Sequence, residues 1–285
     1  MSQFLQSTRA LLADGVKFPF LAVHALWQKR ELIAHFIWRE FVGRYRGSHL
    51  GILLSLATPL ILLVVYTLIF GVIFRGSFGG GNLEEGKASF ALALFSGLIF
   101  FQMFSDAVGR AAPLLASNPN FITKVVFPLE ILPVALVGSA LLHFFVSLGV
   151  LLAGLLLWNH QLEWTILWMP VILLPVVLLS LGISWFLAAL GLYFRDLAAL
   201  VPPVLMALTF LSAIFYPVSA IPERLQILLL ANPMAGTSEL ARGIFIFGRS
   251  PDWGIWGYVF GVSLFCALAG YFVFMRLKKG FSDAL

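Results

Sequence analysis

The sequence predicts an all-α integral membrane protein: six transmembrane helices, an N-terminal amphipathic interface helix, and a re-entrant helical hairpin before the last span. Three observations predict it. Of 285 residues 61% are hydrophobic and 11% charged, against roughly a quarter charged in an ordinary soluble domain. The apolar residues gather into runs long enough to cross a bilayer, which takes about 20 residues. One of the breaks between runs, 216–254, is too long for a tight connection and too apolar for a solvated one.

The stretch LWQKRELIAHFIWREFVGRYRGS (26–48) comes first. Leu32, Ile33, Phe36, Ile37 and Phe41 recur at helical spacing, while Gln28, Glu31, His35 and Arg39 fall on another side. A basic, Trp-bearing helix too polar to span belongs in the membrane interface. A simple anchor and a platform for a partner fit this pattern equally. Residues 1–48 are therefore read as an amino-terminal section and 49–285 as the transmembrane domain. The opening residues carry charge and no long apolar core before a small-residue site, so no removable signal peptide is expected.

Spans are expected at 50–74, 89–112, 131–158, 166–194, 198–215 and 255–275. Several exceed 20 residues and should tilt or project. Pro170 and Pro175 mark kink positions in the fourth. The first connection, GGGNLEEGKAS (79–89), nearly spells a phosphate-binding loop, with Gly81 followed after four residues by Gly86 and Lys87. Ala88 stands where a hydroxyl should meet the metal, Glu84 and Glu85 repel phosphate, and the stretch follows a membrane helix, not a buried strand. It reads as a Gly-rich link.

Between the second and third spans lies LLASNPNFITKVVFPLEILP (114–133). Ser117, Asn118 and Pro119 stop one helix, 121–126 can form a short helical element, and Pro128 and Pro133 frame the next span. An ordinary loop and a grip for a soluble partner both fit. In 216–254, two helical stretches are expected at about 222–230 and 234–247, with Pro222 at a helix start and Gly248 closing the second. Each is too short to cross, so together they form a re-entrant hairpin over 222–247 or an interfacial pair lying flat.

Charge sets the orientation. With six spans and the amino terminus inside, Arg75, Lys87, Arg224, Arg242 and Arg249 fall outside, and the other thirteen of the eighteen lysines and arginines fall inside. That bias puts both termini in the cytoplasm. The net charge of +5 then reads as attraction to an anionic leaflet, not to nucleic acid.

Chemistry of other kinds is sparse. Cys266 is the single cysteine, which excludes an intrachain disulfide and a cysteine metal site. Acidic residues sit at span ends: Asp106 lies four from Arg110, Glu130 opens the third span, and Asp196 follows Arg195. His143 is the exception, expected to bond a neighbouring helix. No HExxH or G-x-S-x-G spacing occurs. No catalytic residue, metal site or intrinsic energy source is expected.

Four motifs in order, GRYRGSHLGILLSLATPLILLVVYTLIFGVIF (43–74), NPNFITKVVFPLEILP (118–133), YFRDL (193–197) and FYPVSAIPE with ANPMAGTSELARG (215–243), resemble the membrane subunit of ABC-type polysaccharide exporters, which carry O-antigen, capsule or teichoic acid chains. The resemblance runs from about residue 27 onward. It implies a permease, not an enzyme, working as a homodimer with two copies of a separate cytoplasmic ATPase that carries the ATP and Mg. It also implies a lipid-linked glycan, O-antigen the first candidate, moved outward across the bacterial inner membrane. In the family, the interface helix and the short helix after span two contact the ATPase. The matching positions, 27–42 and 118–127, nominate Trp27, Arg30, Arg39, Asn118, Phe121 and Lys124. The hairpin gates the outer mouth in the family, which nominates Pro222, Glu223, Arg224, Glu239 and Arg242.

A glycan path should stack sugar faces on aromatic rings. Tyr66, Phe70 and Phe74 share a face at i, i+4, i+8, and Phe210, Phe215 and Tyr216 lie near the end of the fifth span. Arg44 and Arg46 are placed to meet a lipid pyrophosphate, or to anchor the span as inside-facing positive charge. An ABC permease for a drug or small lipid, and an ATP-independent secondary transporter, are the alternative readings.

Overall fold

The computed structural model describes residues 26–45, 53–69, 85–123, 127–159, 162–216 and 231–284, with single positions between 218 and 229. Their regular structure is entirely helical. In order it comprises α1 (Arg30–Gly43), α2 (Leu53–Tyr66), α3 (Glu85–Gly109), α4 (Pro119–Thr123), α5 (Ile131–Asn159) and a 3-10 helix (Trp164–Trp168). Then follow α6 (Met169–Tyr193), α7 (Leu197–Leu211), α8 (Pro233–Phe245), α9 (Trp253–Leu277) and a 3-10 turn (Lys278–Gly280).

Four segments among the described residues are long and apolar enough to cross a membrane: Phe90–Gly109, Ile131–Leu157, Trp164–Tyr193 and Trp253–Gly280. Two more apolar helices, Ser55–Ile69 and Leu197–Leu211, are shorter. At 1.5 Å per residue each reaches about 22 Å, short of a hydrocarbon core of about 30 Å. The shortfall falls on the first and fifth of the six expected spans. The reason is visible for α7, where Ala213 adopts a left-handed φ of 50° and turns the chain aside. Asn232 holds that turn, its Nδ2 donating to Leu211 O at 3.2 Å and to Ser212 Oγ at 3.1 Å. For the first span, a wider π turn over 67–69 follows α2. Residues 70–84, with Phe70, Phe74, Glu84 and the start of the Gly-rich link, lie outside the described residues. The remainder of that link, 85–89, opens α3.

Local chemistry explains several boundaries. Asp252 caps α9, accepting from Gly254 N at 2.8 Å and Ile255 N at 3.1 Å. Asn232 caps α8, accepting from Met234 N at 3.0 Å. Pro170 sits in the first turn of α6, where its missing N–H leaves no bond unmade. Pro175 lies inside α6, which continues to Tyr193.

α3 is the central helix: its side chains from Phe90 to Phe101 are buried without a break, and it meets α2, α5, α6, α7 and α8. α6 and α9 form the tightest pair. A Cβ at Gly182 would collide with the Cys266 carbonyl, and one at Gly270 with the Gly182 carbonyl. Small residues there bring two backbones into contact, the packing that association in lipid relies on.

The bundle has two chemically distinct ends. One gathers α1, α4, the start of α5 and the ends of α6 and α9 around Leu115, Leu132, Leu192, Phe274 and Phe281. The other carries exposed Trp164, Trp168 and Trp253. There the Trp168 and Trp253 rings meet at 5.2 Å, and Trp256 Nε1 donates to Val171 O at 2.9 Å.

Candidate functional site

A cavity of about 440 Å³ opens between α2, α3, α5 and α7. Helical periodicity builds its wall. Ala140, His143, Phe144 and Ser147 recur at i, i+3, i+4, i+7 on α5, and Gln102, Ser105 and Asp106 at i, i+3, i+4 on α3. α2 contributes Ser55, Thr58, Pro59 and Tyr66, and α7 contributes Thr209. These helices are otherwise apolar, and polar side chains grouped on facing stripes of such helices are the signature of a path or site inside a membrane bundle.

Ionic groups close one end of the cavity. Arg44 pairs with Asp106, which also takes Arg110 at 3.3 Å, the pairing expected from their spacing. Arg110 Nη1 reaches Glu40 at 2.8 Å, so α1 is tied to the end of α3. Arg44, nominated for a lipid headgroup, thus lines the cavity with its charge paired. Arg46 lies outside the described residues. Tyr45 Oη lies 3.1 Å from His143 Nδ1, and the Phe41 ring packs on the imidazole at 4.8 Å. His143 is therefore bonded to a neighbouring segment. Burial pushes the Tyr45 phenol above its usual range, with Arg44 opposing, so it is a neutral hydroxyl at physiological pH.

An aromatic cluster extends from one cavity residue, Tyr66. Tyr66 lines the cavity and meets Phe215 at 5.9 Å. Phe210 meets Phe215 at 5.4 Å, and Tyr216 Oη donates to Phe210 O at 2.5 Å. Of the residues nominated for a substrate path, Tyr66, Phe210, Phe215 and Tyr216 thus form one cluster. The i, i+4, i+8 stripe cannot be followed past Tyr66, since Phe70 and Phe74 are not among the described residues.

Of the residues nominated for coupling, Arg39 and Phe121 come together. On α1 the apolar set Leu32, Ile33, Phe36, Ile37 and Phe41 turns inward, while Glu31, His35 and Arg39 are exposed. Ile37 fills the space above Gly138, where a Cβ would strike it. Phe36 meets Phe121 at 5.5 Å and Phe127 at 5.1 Å, and Phe121 meets Phe127 at 4.7 Å. Arg39 caps this trio, 4.1 Å above the Phe36 ring. Phe121 is therefore half-buried against α1 and not a free knob. Asn118 donates to Leu114 O at 2.9 Å, closing the turn before α4. Trp27 stays 67% exposed with Arg30 5.9 Å from its ring centre. Lys124 is outside the described residues.

α8 corresponds to the second helix expected in the hairpin, and it is buried among α3, α6 and α9. Arg242 is 1% exposed. Its Nη1 donates to Ala213 O at 2.7 Å, and its Nη2 reaches Glu239 at 2.7 Å. Glu239 and Arg242 are thus held as a pair, and Arg242 serves the carbonyls left open where α7 ends. Pro222 and Arg224 are exposed, and Glu223 lies outside the described residues.

Sequence reasoning passed over Glu130 except as a span boundary. It is 5% exposed and takes Lys29 Nζ at 2.8 Å and Lys278 Nζ at 2.6 Å. Its own carbonyl accepts from Trp185 Nε1 at 3.0 Å. Burial alone would raise this carboxyl, but the hydrogen bonds from Lys278 and Lys29 outweigh it and hold it below the usual carboxylate range. The available signal was a lone acid between Pro128 and Pro133 at the edge of an apolar run. Gln102 and Thr58 were missed as well, being single polar residues in apolar runs. Among the described residues no three His, Cys, Asp or Glu side chains cluster to hold a metal.

Known proteins resemble this chain along most of its length. It is 29% identical to the O-antigen export system permease protein RfbA of Myxococcus xanthus, over 92% of this chain and 98% of that protein. It is 28% identical to the protein of the same name from Klebsiella pneumoniae, over 87% and 92%. It is 27% identical to the polysialic acid transport protein KpsM of Escherichia coli, over 72% and 77%. Residues 31–246, from α1 through the buried α8, match the ABC-2 type transporter family. That match takes in most of the chain, and the chain belongs to the ABC-2 type transporter membrane family.

Proposed function

We propose that this chain is the permease subunit of an ATP-driven exporter that moves a lipid-linked polysaccharide, O-antigen first among the candidates, outward across the bacterial inner membrane. The observation that carries the reading is the cavity, with the Arg44–Asp106 pair and Tyr66 in its wall and the Phe215 and Phe210 rings continuing from Tyr66 beside it. Hydroxyl and amide groups suit sugar hydroxyls, and aromatic faces suit the apolar C–H faces of sugar rings. The relatives named for O-antigen and polysialic acid transport support the same cargo class.

In this reading residues 49–285 form six spans. α2 and α7 are the first and fifth of these spans. α1 lies in the inner interface, both termini are cytoplasmic, and the hairpin over 222–247 dips in from the outer face to gate the exit. Two copies pair to form the pore, and two cytoplasmic ATPase subunits carry ATP and Mg. They dock on α1 and α4 through Trp27, Arg30, Arg39, Asn118, Phe121 and Lys124. Arg44 and Arg46 receive the lipid headgroup at the inner mouth. The thirteen-to-five distribution of basic residues supports the orientation.

The test is to purify the chain from membranes together with the product of a neighbouring ATPase gene and assay ATP hydrolysis by the reconstituted pair. A stable, hydrolysing complex supports the permease reading. A chain that captures no ATPase and still moves solute returns the secondary-transporter reading. An active complex whose gene deletion leaves surface polysaccharide normal returns the drug or small-lipid reading.

A further inference from the structure

At the end of the bundle where α1 and α4 pack together, three segments far apart in sequence meet on one buried carboxylate. Glu130 opens α5, Lys29 precedes α1, and Lys278 follows α9. The lysines are separated from Glu130 by 101 and 148 positions, so no local structure requires the contact. Both ion pairs are short and the acid is almost fully buried, the setting in which removing one partner has a large effect. Trp185 of α6 donates to the Glu130 carbonyl and packs on Tyr271 of α9 at 5.0 Å. Phe281, just past the closing turn, is 1% exposed and meets Phe274 at 5.4 Å. The carboxyl-terminal turn is thus folded back into the same cluster that holds Phe36, Phe121 and Phe127.

We propose that Glu130 is a positioning residue for coupling: with Lys29 and Lys278 it latches α1, the base of α5 and the carboxyl-terminal turn of α9 into one unit, so that displacement of α1 and α4 by the motor moves α5 and α9 together. The proposal rests on the permease reading above, in which α1 and α4 receive the ATPase. The apolar side of α1 packs on α5 and α4, and its polar ties include the Glu40 to Arg110 pair, Arg44 to Asp106 at its closing residue, and Lys29. The latch is the tie that reaches α9. Without it, α1 remains docked through Phe36, Phe41 and Arg110, so the ATPase still binds and turns over, but its stroke reaches α9 weakly.

The experiment uses the full chain co-purified with its ATPase in lipid nanodiscs for hydrolysis, and the same variants in cells for surface glycan. Glu130→Gln and Lys278→Met should keep ATPase capture and hydrolysis near wild type while glycan exported per ATP falls about tenfold, the size of a typical coupling free energy. Lys278→Arg, which keeps the pair, should restore export. Lys279→Met removes the same charge from the exposed neighbour and should export as wild type. Export per ATP unchanged in both Glu130→Gln and Lys278→Met would overturn the latch. So would an equal loss from Lys279→Met, which would make the effect one of net charge. If Glu130→Gln does not accumulate, Lys278→Met alone decides. Failure of the wild-type chain to capture an ATPase would overturn the permease reading instead, and is read out separately.

Discussion

Replacing Arg242 with Met should destabilise the bundle far more than replacing its ion-pair partner. The guanidinium is 1% exposed and serves two structures at once. On one side it donates to Ala213 O at 2.7 Å and Ile214 O at 3.4 Å, and on the other it meets Glu239 at 2.7 Å. Met fills similar volume but donates nothing, so a buried carbonyl at the left-handed turn loses its charged donor and Glu239 loses its cation. A hydrogen bond to a charged group contributes about 1.5–3 kcal/mol, and breaking a buried ion pair costs about 3–5 kcal/mol. Glu239 is 40% exposed and can turn to water, which argues for the lower part of that range, about 3 kcal/mol. Glu239→Gln keeps an acceptor facing Nη2, and should cost about 1 kcal/mol. For a chain of this size 1 kcal/mol moves the midpoint by about 2–4 °C. Thermal scans of detergent-solubilised protein should therefore lower the midpoint by about 6–12 °C for Arg242→Met and by about 2–4 °C for Glu239→Gln. Equal shifts for the two variants, or a shift below about 3 °C for Arg242→Met, would refute the view that this side chain pins α8 to the end of α7.

Other perturbations test other parts of the structure. Gly182→Ala sets a methyl group against the Cys266 carbonyl. It should cost about 1–3 kcal/mol by overpacking, measured as a lower unfolding midpoint, with Gly149→Ala, where nothing lies within 4 Å, as the silent control. Phe121→Ala opens the trio with Phe36 and Phe127 and, half-buried, should cost about 2 kcal/mol. Its readout is loss of ATPase co-purification. Tyr66→Ala removes a ring from the cavity wall, and at about 0.5–1.5 kcal/mol per aromatic contact export should fall several-fold with ATPase capture intact. Glu130 has its carboxyl held low by Lys278 and Lys29. The stability it contributes is fully present above the unfolded value of about 4.3 and is lost as pH falls through the lower folded value. Wild type should therefore lose stability below about pH 4.3 by a component that Glu130→Gln lacks; parallel pH profiles for the two would contradict this.

The main helices were legible because their signal is local. Runs such as 131–158 are long, apolar and bounded by Pro or Asn, and the structure has α5 at Ile131–Asn159. The inward and outward faces of α1 were legible for the same reason, since periodicity alone separates Phe36 and Phe41 from Glu31 and His35. What escaped the sequence depends on distant partners. At the end of α7, Asn232 takes the Leu211 carbonyl and Arg242 takes the Ala213 carbonyl in the turn beyond it, and neither residue announces that role in a string of letters. The bond to His143 comes from Tyr45, 98 positions away. Gln102 and Thr58 look like isolated polar interruptions until α2, α3 and α5 are set side by side. Glu130 looked like a span boundary because its lysines lie near opposite ends of the chain.

The most direct measurement places the co-purified permease and ATPase in proteoliposomes carrying lipid-linked glycan and follows glycan entry into a compartment accessible to a trapped glycosidase. ATP-dependent cleavage that requires both proteins, and that falls in Tyr66→Ala, is the predicted result. Cleavage at the same rate without ATP or without the ATPase, or none while the complex hydrolyses ATP at its full rate, would contradict the assignment of this chain as a polysaccharide permease.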